Sequence, residues 1–460
     1  RDPLGNRTRY RYTWDGYLQN VIDAKDQWTT YTYSYRGRLL SFTDQRGKTT
    51  HYTYDPAGRL LTETNPLGRT TEYTYYDGGY GSGCCSCGSS AGRVRMITLP
   101  SGDQMLHKYH PDGKLKRVDY VGTGKYVEYG YDAAGRRVSL LDTRLTTSTV
   151  GGQMLTWAYD KLDRVTTETY PDGSVVAWTY DALGRRTSVA DPDGRVTAYA
   201  YGSQPALKRL TAITNAFGQS ANYGYDAQGR VSSELFRQGA LNLSYNFWTY
   251  DAAGRVATLG TYAHAVEALV KQETYTYNAA SMRTRIDYLS DALFQPYHKL
   301  YSYDALGQLV QEHKRWSGSN ASAYRYAYTY DPAGNRTQMV HFNGSTTRTV
   351  VSAYNDGNQL TTHDGNAAAY DANGNLRYVD SDSDPRELEH NSDNRLVTVW
   401  PDKGELHFVY DALGRRLARA STRNGGVSTR YYYDGLNIVM TRESSAATGG
   451  AGSWLTRRAY

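Results

Sequence analysis

Phenylalanine is scarce in this chain: its 460 residues hold 7 Phe against 45 Tyr, with a hydrophobic fraction of 39%, below the usual share for a globular domain. That shortage argues against a large dry core, which would draw on Leu, Ile, Val and Phe. Tyrosine supplies an apolar ring with a polar tip, so the composition predicts one sheet layer with water close to both faces. No apolar run is long enough for a membrane span. No Pro- or Ser-rich linker and no long charge run breaks the pattern, so residues 1–460 read as one continuous array. Three cysteines, an odd number, leave at least one thiol unpaired within the chain. Charge of one sign is not in marked excess: 52 basic and 46 acidic residues give +6, spread along the chain. This describes a solvated surface of mixed sign rather than a nucleic-acid footprint. There is no Met start and no signal-like segment, and the chain opens inside a turn motif at Arg1-Asp2-Pro3-Leu4-Gly5, so it reads as an excerpt.

Repetition is what the sequence has in abundance. Tyr-Asp-x-x-Gly-Arg recurs in full at Tyr54, Tyr131, Tyr180, Tyr225, Tyr250 and Tyr410. Degenerate copies, such as Tyr159-Asp-Lys-Leu-Asp-Arg164 and Tyr277-Asn-Ala-Ala, keep the Tyr and lose a letter. A catalytic group is needed once per site, whereas a motif repeated along the chain builds shape. In each copy Asp can accept from the backbone two residues on, and Gly takes the left-handed conformation that closes a type I turn into a bulge. Between turns the period is two, as in Thr50-His51-Tyr52-Thr53-Tyr54, which marks strands. Secondary turns such as Asn65-Pro-Leu-Gly68 bisect several intervals, so one repeat is one hairpin, and consecutive hairpins pair into a ribbon with Tyr stacked in rows. The stretch from Tyr262 to Glu273 has helical spacing at Val266, Leu269 and Val270. It is read as an elongated hairpin, because Tyr275-Thr-Tyr277 follows in strand register.

With these residues in view, the chain resembles the YD repeats of RHS (rearrangement hotspot) proteins, a family of bacterial polymorphic toxins and B and C components of insecticidal toxin complexes. Animal teneurins share the repeat. The resemblance implies an all-β fold: a long antiparallel β-hairpin ribbon of YD repeats curved into an open, hollow spiral shell segment. It also implies a function, enclosure of a toxic C-terminal passenger, and a protein secreted or held at the bacterial cell surface. No Asp-Pro-x-Gly-Leu-type core end appears, so the plug, the self-cleavage region and the toxin domain are expected to be absent from this segment. The implied partners are that passenger or further RHS repeats of the same or a partner chain. A strand roughly every 11 residues gives on the order of 40 strands and a ribbon of ~190 Å, enough for a ring ~60 Å across. That is about one turn of a spiral, with Arg1 and Tyr460 at exposed ends and unpaired edges that favour association.

Two candidate metal sites compete with this reading. Cys84, Cys85 and Cys87, with His107 and His110, have the donors of a zinc site, but adjacent cysteines rarely share a metal and His110 fills a turn slot; a Gly/Ser-rich loop with a Cys84–Cys87 disulfide or free thiols is preferred. Asp380, Asp382 and Asp384 alternate as in a calcium loop, yet Pro385 stands where the glycine belongs. Every turn Asp is assigned to backbone hydrogen bonds, ionised and exposed. No catalytic, cofactor-binding or metal residue is therefore assigned, and no cofactor is expected. The alternative to a shell is a surface adhesion repeat that binds carbohydrate or a partner protein through exposed aromatic strips.

Overall fold

In the computed structural model, the described residues are 1–77, 91–145, 150–202, 208–290, 295–318, 321–380, 385–401, 404–422, 426–444 and 455–459. Thirty-nine strands run through them, close to the number expected from the repeat spacing. The chain forms two compact units. One comprises residues 1–33, 42–48 and 196–364, and the other residues 34–41, 49–195 and 365–460.

Within each unit every ladder is antiparallel and joins strands consecutive in sequence. In the second unit the ladders run unbroken from Thr49–Tyr54 to Arg186–Ala190 and from Asn366–Tyr370 to Leu455–Ala459. The repeat is visible in Val175–Tyr180 and Arg186–Ala190, where Trp178 faces Val189 and the register slips between Thr179 and Tyr180. That slip is the bulge. Asp181 N–H donates to the Arg185 carbonyl at 2.9 Å, Gly184 N–H donates to the Asp181 carbonyl at 3.0 Å, and Gly184 has φ of 80°. The degenerate copy at Tyr159 keeps the same turn with Asp163 in the glycine's place at φ 62°, since Asp tolerates that region better than most residues.

The stretch that divides between helix and hairpin resolves as an elongated hairpin. Val256–Ala263 pairs with Ala268–Tyr277 around a 3-10 turn at His264–Val266. Helical spacing there reflects a bulge between Thr261 and Tyr262, which shifts which side chains share a face.

The single wet layer expected from composition holds over much of the sheet but fails in part of the second unit. There Val118, Tyr120, Val127, Leu140 and Leu155 form a buried cluster. Tyr170, Val176, Leu417, Tyr432 and Met440 are also buried. The cause is a second run of the same ribbon lying against the first, described next.

Candidate functional site

The motif acts as a clamp between hairpins. The Tyr180 hydroxyl donates to the Val165 carbonyl at 2.8 Å, fifteen residues earlier, and Val165 is the first residue of the preceding strand Val165–Thr169. The same bond joins Tyr33 to Leu18, Tyr54 to Leu39, Tyr75 to Leu60 and Tyr225 to Leu210. Where hairpins lengthen, the bond persists at a longer separation, as from Tyr250 to Val231 and Tyr330 to Leu309. Burial raises the phenol pKa at Tyr180, Tyr33 and Tyr75, which keeps these groups protonated donors.

Asp and Arg complete the clamp. One Asp181 oxygen accepts the backbone N–H of Leu183 and Arg185 at 3.0 and 2.9 Å, and the other accepts Arg185 Nε at 2.7 Å. Each guanidinium then reaches forward. Arg164 lies over the Tyr180 ring at 4.6 Å and donates to the Asp181 carbonyl at 3.1 Å. Arg59 over Tyr75, Arg136 over Tyr159, Arg230 over Tyr250 and Arg255 over Tyr277 repeat the stack. These slot rings are therefore capped by cations, whereas Tyr33 stacks on the Tyr17 ring at 5.2 Å, and the aromatic platforms proposed for sugars are occupied on the capped side. The Arg136 guanidinium donating to Asp132, and Arg164 donating to Asp160, hold those carboxyls below the usual range.

The carboxylates are not uniformly exposed, contrary to the expectation from turn chemistry. Asp142 and Asp411 are fully buried and Asp191 and Asp434 nearly so. In the second unit, turns at one edge of an early run face turns at the opposite edge of a late run, and charged side chains lock the seam. Ser101 N–H donates to Asn373 Oδ1 at 2.9 Å. Arg144 pairs with Asp142 at 2.7 Å and with Asp393, and the Tyr120 hydroxyl donates to Asp393 at 2.8 Å. Arg415 donates from Nη1 to Glu168 at 3.0 Å and from Nε to Asp411 at 2.8 Å. Tyr432 and Arg430 both donate to Asp172, at 2.7 and 3.0 Å, while Trp178 and Arg186 hold Asp434.

Electrostatics follow from this packing. Burial pushes Tyr432 up to about 12. Burial also raises Asp172, but the Tyr432 and Ser174 donors outweigh it and leave the carboxyl below its ordinary value. Beside the seam lies a cleft of about 430 Å³ lined by Trp157, Trp178, Arg186, Leu413, Arg415 and Leu436. Its polar groups are already engaged with one another: Arg415 with Glu168 and Asp411, Arg186 with Asp434.

The first unit repeats the device. Lys25 pairs with Asp304 at 2.6 Å, Lys48 with Asp356 at 2.8 Å, and Arg46 donates to the Asn355 carbonyl at 2.8 Å. Of the two candidate metal sites, Cys84, Cys85, Cys87, Asp382 and Asp384 lie outside the described residues. The His107 ring sits 3.2 Å from the Met105 carbonyl and His110 packs edge-on to Tyr131. Asp380 N–H donates to the Ala367 carbonyl. Among the described residues no three His, Cys, Asp or Glu side chains gather as metal ligands, and no helix among them is long and apolar enough to cross a membrane.

The family model for the RHS repeat matches residues 33–79 in two overlapping copies, and further copies lie between 141 and 240. The Teneurin YD-shell model matches residues 295–438. The chain is an RHS/YD-repeat protein. This RHS chain is 31% identical over 144 residues to the tRNA nuclease WapA of Bacillus subtilis, covering 31% of the chain and 6% of that protein. It is 30% identical over 166 residues to the toxin protein Tse5 of Pseudomonas aeruginosa, covering 29% and 12%. Against Teneurin-3 of Danio rerio it is 26% identical over 382 residues, covering 76% and 13%. The chain thus spans only about 6 to 13% of the length of these curated relatives. The fold is also that of part of the Photorhabdus luminescens Tc holotoxin pore, at 16% identity and a TM-score of 0.73, covering 95% of this chain and 24% of that one.

Proposed function

We propose that this RHS chain is a wall segment of an open, hollow shell in a toxin-delivery protein, that it encloses a passenger polypeptide, and that it performs no catalysis itself. The observation that carries the reading is the clamp: Tyr, Asp and Arg of the motif are all engaged in joining one hairpin to the next. A wall needs that, and an active site does not. The likeness to the Tc holotoxin pore and to toxins such as Tse5 supports the same reading. Residues 1–460 act as one continuous array, completed by further repeats of the same or a partner chain, and the protein works outside the cytoplasm, secreted or at the cell surface.

The test uses the full-length gene product. Native limited proteolysis is expected to spare a polypeptide encoded with the shell that is digested when made alone; equal digestion refutes enclosure. Hydrolase and nuclease assays of the purified chain are expected at background. An activity abolished by replacing one acidic residue would overturn the non-catalytic part.

A further inference from the structure

One face of four consecutive strands in the first unit carries an uncancelled positive charge. Cross-strand partners share a face, and the register sets Asp287 opposite His298, His298 opposite Arg315, and His313 opposite Arg325. Arg285, two residues before Asp287, is on that face as well. Arg285 clasps Asp287 at 2.6 and 2.8 Å, which neutralises both. Arg315 and Arg325 have no carboxylate within 4 Å among the described residues. Arg325 is exposed.

The two histidines between them play different parts: His313 is held by its neighbours, and His298 keeps one ring nitrogen unpartnered. His313 Nε2 meets the Ser322 hydroxyl at 3.0 Å, and its Nδ1 accepts from Arg315 Nε at 3.3 Å. His298 is 95% buried, since only 5% of it is exposed, and its Nδ1 has no partner. A buried polar atom left unpaired costs stability. Burial, reinforced by Arg285 and Arg315 at His298 and by Arg315 and Arg325 at His313, holds both rings below the ordinary histidine range. An anion arriving here would reverse that bias.

We propose that this face is a binding site for a divalent oxyanion of the phosphate class, gripped by the forked donors of Arg315 and Arg325, with the unpartnered Nδ1 of His298 as a further partner and His313 holding Arg315 in place. Two guanidiniums without a carboxylate partner among the described residues match the charge of a dianion, and the terminal donors of their planar groups match its oxygen geometry. His298, His313, Arg315 and Arg325 take no part in the clamp and seam contacts described above, so the site stands independently of the enclosure reading.

The test is isothermal titration of the full chain near pH 7 with two probes, inorganic phosphate and a peptide bearing one phosphoserine. Saturable binding is expected, weakened about ten-fold by Arg325→Gln, an exposed change that spares the fold, and lost in Arg315→Gln/Arg325→Gln. Arg348→Gln, on the opposite face, is expected to leave it unchanged. The His298 and His313 ring resonances should move with phosphate and not with chloride of equal ionic strength. Tighter binding of the peptide assigns the ligand to a phosphorylated protein segment, and tighter binding of inorganic phosphate assigns the free ion. No saturable binding of either probe, or binding that survives the double substitution, overturns the site.

Discussion

Replacing Arg415 with Met is the sharpest test of the seam. The Arg415 side chain is 7% exposed and stands between Glu168 at 4% and Asp411 at 0%. It also lies over the Tyr170 and Tyr433 rings at 5.9 and 5.5 Å. Met preserves most of the packing and removes the charge, leaving two carboxylates buried without a cation, a change that typically costs about 3–5 kcal/mol. Arg185 holds the same motif position over Asp181, but that pair is 27% and 23% exposed, so Arg185→Met should cost at most about 1 kcal/mol. Urea unfolding followed by tryptophan fluorescence reads the difference directly, because Trp157 and Trp178 line the cleft beside Arg415. Repeat proteins need not unfold in one step, so the midpoint of the first transition is compared. Adding Glu168→Gln to Arg415→Met is expected to recover at least ~1 kcal/mol by removing one orphaned charge. Equal midpoint shifts for Arg415→Met and Arg185→Met, or no recovery in the double variant, would refute a charge-locked seam.

Other outcomes follow from the clamp. Tyr180→Phe deletes the bond to the Val165 carbonyl and should cost about 0.5–1.5 kcal/mol in thermal or urea melts; an unchanged midpoint would remove the hydroxyl from the clamp. Gly184→Val forces a β-branched residue to φ 80°, a strain of about 1–3 kcal/mol, and should lower the melting temperature more than Asp181→Ala; a smaller drop than Asp181→Ala would contradict the bulged turn. The carboxyls of Asp132, Asp160 and Asp251, held down chiefly by their Arg partners, have folded pKa values below the unfolded ones. Their stabilisation is therefore present above the ordinary carboxylate range near pH ~4 and disappears as pH falls through the folded values. Urea midpoints should hold steady from neutral pH to about 4 and then decline, with the decline blunted in Asp132→Asn/Asp160→Asn/Asp251→Asn; an identical acid profile in that variant would refute it.

The strands, their turns and the hairpin order were legible because every determinant is local. Asp181 reaches no further than Arg185, and Gly184 needs only its own backbone angle. The phenol bond was missed, although the spacing of Tyr33, Tyr54 and Tyr75 carried it. Tyrosine and phenylalanine alternate equally well in a strand, so only the near absence of Phe from these slots hinted that the hydroxyl mattered. The seam was illegible. Glu168 sits in an ordinary strand and Asp393 in a motif-poor turn, and their partners are 247 and 249 residues away. That offset depends on how the ribbon bends, which no motif encodes. For the same reason turn chemistry alone predicts exposed carboxylates: the chemistry at Asp411 matches that at Asp181, and only the neighbouring run distinguishes them.

The clamp also has a direction in time. Each hairpin holds out a guanidinium and a carbonyl that only the next hairpin can use, as Arg164 and the Val165 carbonyl await Tyr180. A chain emerging from the ribosome can thus complete one repeat with every twenty-odd residues made, through contacts whose closure entropy is small. The seam is different, since Arg415 meets Glu168 only after 247 further residues exist. Until then the buried half of the seam stays wet and the ribbon's edge stays open, exposed to wrong neighbours. Growth is therefore easy and closure late, and a lesion at Arg415 should reduce the yield of correctly closed protein well before it slows the formation of individual hairpins.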